Sequence, residues 1–179
     1  QDLLDLMEAT LEISRENVQA RPVHTQEIEL EPLLSAIQQG VQIRADENRL
    51  QLQWYVAPQL PTISTDSRRL AIILTNLLDN AVKYTEAGTV RLDVHTADGG
   101  VRFQVSDTGV GIAPERQREI FEQFRRGRNM HSEGVGLGLY IVRRLLDGLG
   151  GRIDFNSVVG QGTTFRVWLP LQAPERFVA

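Results

Sequence analysis

The chain has 179 residues, of which 41% are hydrophobic and 23% charged, with a formal net charge of −4. That is the make-up of a globular protein with room for one good core and an appendage, and it lacks the basic stripe of a nucleic-acid binder. The absence of cysteine excludes a disulfide framework, thiolate zinc and a cysteine nucleophile and suits a reducing compartment. The longest apolar runs fall far short of a membrane span, and no signal-peptide pattern is present. Gln1 stands inside a helical pattern, so the chain reads as a fragment, and the membrane status of its parent stays open.

In chain order, residues 1 to about 20 carry Leu3, Leu4, Leu6, Met7, Leu11 and Ile13 among charged residues, a helical pattern ended by Arg21-Pro22. The stripe either packs on the domain or forms half of a helical hairpin or dimer seam; the second reading is preferred, because the helix lies outside the compact pattern that follows. Alternation over His24 to Leu30 predicts a short strand. Glu31 to Ala45 predicts a helix with Pro32 in its first turn. Leu50, Leu52, Trp54 and Val56 alternate as a strand that Pro58 and Pro61 break. Asp66 is a candidate N-cap for a long helix reaching Tyr84. Gly88 to Thr96 and Val101 to Asp107 are strands joined by a hairpin turn at Asp98-Gly99-Gly100. Pro114 opens a helix ending near Phe121, and residues 122 to 135, polar and basic, read as a mobile loop. Gly136 to Gly150 is a helix with a glycine stop. Gly151 to Asn156 and Thr163 to Leu169 are the last strands, closed by Pro170, and the tail beyond reads as frayed. Helices and strands mixed with hairpins fit a two-layer α/β sandwich better than a doubly wound sheet.

Three places could carry chemistry. Asn76, Asn80 and Lys83, at i, i+4 and i+7 in Asn-Leu-Leu-Asp-Asn-Ala-Val-Lys-Tyr, line one helical stripe beside the core face of Leu70, Ile73, Leu74, Leu77 and Ala81. A carboxamide oxygen suits Mg²⁺ and an ammonium suits phosphate, although Asn and Lys on a helix are usually just solvated. Asp107-Thr-Gly109-Val-Gly111-Ile112 follows a strand. Its carboxylate can accept from an exocyclic amine, and its glycines let the backbone approach a flat ring; alone, the segment reads equally as a turn. Gly134-Val-Gly136-Leu137-Gly138-Leu139 opens a helix whose free N–H groups form an anion site, or else a hinge. It is neither a Rossmann fingerprint nor a Walker loop. His24, His95 and His131 are scattered without metal spacing.

Taken together and in this order, these segments resemble the ATP-binding domain of sensor histidine kinases, in the superfamily that also holds DNA gyrase and the large heat-shock chaperone. The N box is Asn76 to Tyr84 and the first glycine box Asp107 to Gly111; the F box is Phe121-Glu-Gln-Phe124 and the second glycine box Gly134 to Leu139. Gly162-Thr163-Thr164-Phe165 with Leu169-Pro170 is similar to the family's final strand. The resemblance runs from about residue 26 to 171 and implies the Bergerat fold, a mixed β-sheet layered with helices and preceded by one helix. It implies two parts: residues 1–21, the end of a dimerisation and phosphotransfer hairpin, and 22–179, the catalytic domain.

The resemblance further implies ATP and Mg²⁺ as ligands. Asn80 would hold the metal, Lys83 and Arg126 would meet phosphate, and Asp107 the adenine amine. Gly111 would lie below the ring, Thr163 would support it through water, and Tyr84 would flank the nucleotide. Gly109, Ile112, Gly134, Gly136, Leu137, Gly138 and Leu139 would complete the pocket, with residues 122 to 135 as the lid. Hydrolytic relatives carry glutamate where this chain has Asn76; a carboxamide is no strong base, so ATP would be kept for an external nucleophile, with Asn76, Lys83 and Arg126 as the catalytic set. No histidine here is followed by an acidic residue on a hairpin helix, so the acceptor is expected on another segment, and this chain would bind ATP without phosphorylating itself. The expected partners are its own photransfer hairpin, a response regulator and, in the full-length protein, a second copy. Neither nucleic acid nor a membrane is expected to touch this cytoplasmic part. The rival readings are a nucleotide-binding switch or docking module without useful kinase activity, and a gyrase- or chaperone-type ATPase, which Asn76 argues against.

Overall fold

The computed structural model describes residues 23–122 and 138–173. The helix expected over residues 1–20, the F-box residue Phe124, and Arg126, Gly134, Gly136 and Leu137 lie outside the described residues. The described elements are β1 (Gln26–Ile28), α1 (Leu30–Glu47), β2 (Gln51–Val56), β3 (Ile63–Thr65), α2 (Ser67–Lys83), β4 (Thr89–Ala97), β5 (Gly100–Asp107), α3 (Pro114–Gln117), α4 (Gly138–Leu149), β6 (Arg152–Val158) and β7 (Gly162–Pro170).

Five strands form one sheet in the order β2-β4-β5-β7-β6. Only β2 and β4 run parallel; the other neighbours are antiparallel. Alternation decides which face is covered. Val90, Leu92 and Val94 of β4, Val101, Phe103 and Val105 of β5, and Phe165, Val167 and Leu169 of β7 are buried under the helices. The opposite face is polar and internally paired: Arg91 bonds Asp93, Arg166 bonds Asp154 and Asn156, and Arg152 lies over the Trp168 ring at 4.4 Å. The result is the expected two-layer sandwich of a mixed sheet and helices.

Each long helix buries a single stripe. In α1 it is Leu30, Leu34, Ile37, Val41 and Ala45; in α4 it is Ile141, Val142, Leu145, Leu146 and Leu149. α2 buries Leu70, Ile73, Leu74, Leu77, Leu78, Ala81 and Val82 and lies centrally, packed against both α1 and α4. Its start is fixed as expected: the Asp66 carboxylate accepts from the amides of Arg68 and Arg69 at 3.1 Å each. The same carboxylate accepts from His24 N at 3.1 Å and pairs with the buried Arg69 guanidinium at 3.5 Å, so one side chain ties the incoming chain to the central helix.

Two elements differ from expectation. β3 was not foreseen between the prolines and Asp66; its three residues pair antiparallel with β1, and its Ser64 also bonds the chain beyond β7 through Leu171 and Ala173. A segment that short carries too few alternations to be read locally. The helix opened by Pro114 ends at Gln117 rather than near Phe121. Beyond it the chain winds in tight i→i+3 turns, with Glu119 N bonded to Arg116 O and Glu122 N to Glu119 O, which bring the Phe121 ring to 5.9 Å from Phe155 and 6.5 Å from Phe165.

Candidate functional site

The polar stripe of α2 lies beside its buried one. Asn76 and Asn80 are half-buried and Lys83 is exposed, as residues flanking the core stripe must be. Asn76 donates from Nδ2 to the Ile72 carbonyl at 2.8 Å. A Cβ on Gly138 would lie 2.9 Å from Asn76 Oδ1, so the first described turn of α4 meets α2 at this carboxamide. Leu139, next to it, packs against the core. Toward the other end of the stripe, Lys83 Nζ lies 5.8 Å from the Tyr84 ring centroid, and Tyr84 is 45% exposed.

Tyr84 links this helix to the glycine loop after β5. Its carbonyl accepts from Val110 N at 3.1 Å. Gly109 passes so close beneath it that any Cβ would collide with the Tyr84 carbonyl oxygen, which is why glycine is required there. Asp107 is the last residue of β5. Its Oδ1 accepts from Gly109 N at 2.9 Å and from Thr163 N at 3.1 Å, whereas Oδ2 has no hydrogen-bond partner among the described residues. Burial pushes its pKa above the ordinary 3.8, opposed by the two backbone N–H groups of Gly109 and Thr163. The carboxylate is thus held by one oxygen, with the other available as an acceptor.

The far side of the loop rests on β6 and β7. Ile112 N donates to Ser157 Oγ at 2.7 Å, and Ser157 Oγ lies 2.9 Å from Thr163 Oγ1. Gln117 Nε2 donates to the carbonyls of Ile112 at 2.9 Å and Ser157 at 3.1 Å. Gly111, at φ +69°, passes against the Val158 carbonyl.

Two continuous groups therefore emerge. Lys83, Tyr84, Asp107, Gly109, Ile112 and Thr163 join through the contacts above, and Asn76 joins Gly138. Asn80 connects them along α2, its carbonyl accepting from Tyr84 N at 3.0 Å. Arg126, Gly134, Gly136 and Leu137 lie outside the described residues. Sequence reasoning passed over Ser157 and Gln117. The available signal was a hydroxyl at position 157, in phase with Ile153 and Phe155 on the half-buried face of β6.

A family model described as Histidine kinase-, DNA gyrase B-, and HSP90-like ATPase matches residues 65–173. The circadian input-output histidine kinase CikA of Synechococcus elongatus is 37% identical over 175 residues, covering 96% of this chain and 22% of that protein. The adaptive-response sensory kinase SasA of the same species is 35% identical over 164 residues, covering 90% of this chain and 42% of that protein. Among solved structures, full-length ShkA in complex with AMPPNP superposes with a TM-score of 0.80 at 39% identity, over 94% of this chain and 36% of that one. The chain thus spans less than half the length of these relatives.

Proposed function

The chain belongs to the histidine kinase-, DNA gyrase B-, and HSP90-like ATPase family, and we propose that it is the ATP-binding catalytic part of a two-component sensor histidine kinase. The observation that carries this reading is Asp107, a part-buried carboxylate with Oδ1 clamped by Gly109 and Thr163 and Oδ2 open. It stands at a strand end beside a glycine loop tied to Tyr84 at the end of the Asn76–Asn80–Lys83 stripe. An acceptor-only oxygen on a fixed frame suits an exocyclic amine such as that of adenine, and the adjoining ammonium suits phosphate.

The donor set also fits Mg²⁺ brought by the nucleotide. Among the described residues no group of three or more His, Cys, Asp or Glu could hold a metal. Mg²⁺ commonly takes one or two protein oxygens and fills its remaining positions with phosphates and water, and the Asn80 carboxamide offers one such oxygen. Bound there, the metal would neutralise phosphate charge. Lys83 would hold the phosphates, with Arg126 as a second cation, and Tyr84 would flank the nucleotide. Gly111, Ile112, Gly134, Gly136, Leu137, Gly138 and Leu139 would complete its cavity. Asn76 has one of its two Nδ2 protons committed to Ile72 and no basic oxygen with which to activate water, so the γ-phosphoryl would be kept for a histidine. Alignment and charge neutralisation carry most of the catalysis in such a transfer.

The acceptor histidine would sit on the first helix of a hairpin to which residues 1–21 would contribute. The further partners would be a second copy in the full-length protein and a response-regulator aspartate, in the cytoplasm where ATP is available. Among the described residues no helix is long and apolar enough to cross a membrane. The test is to mix this chain with a separate hairpin domain bearing the acceptor histidine, together with Mg²⁺ and radiolabelled ATP. Acid-labile, base-stable label on the hairpin is expected; tight ATP binding without transfer would instead favour a nucleotide-binding switch.

A further inference from the structure

Two segments flank Asp107, the Gly109–Ile112 loop and the start of β7, and its carboxylate bridges them through the amides of Gly109 and Thr163. Ser157 bridges the same two segments from behind. Its hydroxyl accepts from Ile112 N at 2.7 Å, lies 3.2 Å from the Gly162 carbonyl and 2.9 Å from Thr163 Oγ1. Proton counting fixes the arrangement. A hydroxyl has one proton and two lone pairs. Ile112 N–H takes one lone pair, and a carbonyl can only accept, so the Ser157 proton goes to Gly162. The Thr163 hydroxyl must then donate into the second lone pair, which leaves the Thr163 oxygen as an acceptor toward anything else. Gln117 reinforces the bridge. Its amide group has two protons for two carbonyls, those of Ile112 at 2.9 Å and Ser157 at 3.1 Å. Gly160 N adds a bond to the Val110 carbonyl at 2.9 Å.

We infer that Ser157 and Gln117 are positioning residues that set the distance between the glycine loop and β7, and thereby the orientation of the Asp107 carboxylate. The inference rests on the ATP reading above. Cutting the rear bridge lets the loop move away from β7, and the two N–H groups that hold Asp107 Oδ1 then separate. The loss would fall on recognition of the base and spare recognition of the phosphates, which the side chains of the α2 stripe rather than the loop would meet.

The test uses the whole chain, titrated calorimetrically with Mg-ATP and, separately, with inorganic triphosphate and Mg²⁺. Ser157→Ala is expected to weaken ATP about tenfold, the worth of one hydrogen bond in an ordered network, with triphosphate affinity held within about twofold. Gln117→Ala should give the same selectivity with a smaller loss. The double variant should lose less than the product of the two factors, because both act on one contact set. Ser157→Thr, which restores the hydroxyl, should regain most of the ATP affinity; a role in stability alone would move the melting temperature but not the ATP-to-triphosphate ratio. Equal loss of both ligands, or unchanged ATP affinity in both alanine variants, overturns the inference. If Ser157→Ala does not fold, Gln117→Ala, on the partly exposed α3, reads the same ratio. A parent chain that fails to bind ATP refutes the ATP reading itself, which separates the two failures.

Discussion

Replacing Asp107 by asparagine changes one atom and reverses what that atom can do. The retained oxygen must still accept from Gly109 N and Thr163 N, at 2.9 Å and 3.1 Å, so the new –NH₂ stands where Oδ2 was. In the proposed complex, an acceptor becomes a donor facing the amine of adenine. A hydrogen bond to a charged acceptor contributes about 1.5–3 kcal/mol; its loss, with two donors now opposed, should weaken ATP about 100-fold at 1.4 kcal/mol per factor of ten. Inorganic triphosphate has no amine and should bind as before. Stability should respond in the opposite sense. Burial raises the Asp107 pKa in the folded protein, so the ionised form disfavours folding, and this penalty is fully present above the raised folded value. It is relieved as pH falls through that value, because the folded state then takes up a proton that the unfolded chain does not yet hold. Asparagine carries no such penalty, and the variant should melt no lower than the parent near neutral pH. By the same sign, the ratio of ATP to triphosphate affinity in the parent should fall as pH is lowered from neutrality toward the ordinary carboxylate range, as the acceptor is protonated, while the ratio in the variant should hold; the ratio is used because phosphate titrates in both ligands. Calorimetric titrations with ATP and triphosphate, paired with thermal melts, read all of this. Equal loss of both ligands, or a melting temperature lowered by several degrees, would refute the reasoning.

Asn80→Ala should remove the dependence of ATP affinity on Mg²⁺, a loss of about tenfold or more, with the fold intact by circular dichroism; an unchanged Mg²⁺ dependence would refute the metal role. Gly109→Ala forces a Cβ into the Tyr84 carbonyl and should cost about 1–3 kcal/mol, read as a melting temperature several degrees lower, with ATP binding lost. Asp66→Ala removes the cap of α2 together with the bonds to His24 and Arg69; urea unfolding should show a loss of about 2 kcal/mol or more, since a cap alone contributes 0.5–2.

The sequence was informative wherever a local signal coincided with a tertiary role. Asp66 reads as a cap because only a short acceptor side chain suits that position, and the structure gives it that bond. The stripe of α2 reads at helical spacing because its buried face is nearly continuous, so Asn76, Asn80 and Lys83 stand out as exceptions along one edge. Gly109 was picked as a turn glycine, yet what requires glycine is the Tyr84 carbonyl 25 residues earlier, a contact that no local pattern encodes. β3 escaped because its three residues gain their order from β1 and from the chain after β7. Ser157 and Gln117 escaped for a related reason. Their most distant partners lie 45 and 40 residues away, and a serine on a strand beside a glycine turn has an obvious solvated alternative. What could have exposed Ser157 is phase: with Ile153 and Phe155 facing the helices, a hydroxyl in the same register needs a partner.

The loop around Asp107 and the polar stripe of α2 are built on different principles, and this bears on how nucleotide would be discriminated. Around Asp107, two side chains on paired strands, Asp107 and Ser157, cross-link one loop to one strand by accepting from backbone amides, and backbone bonds from Val110 to Tyr84 and from Gly160 to Val110 hold the loop further. That frame is made of bonds within the chain itself, so recognising a base there would cost little reorganisation. The stripe proposed to meet phosphate consists, among the described residues, of an exposed lysine and two half-buried carboxamides on one helix. Selectivity among purines would therefore be decided at Asp107, whereas the pull on phosphate is spread over several groups. A substitution at the frame should alter which nucleotide binds, and one on the stripe should alter how tightly any triphosphate is held.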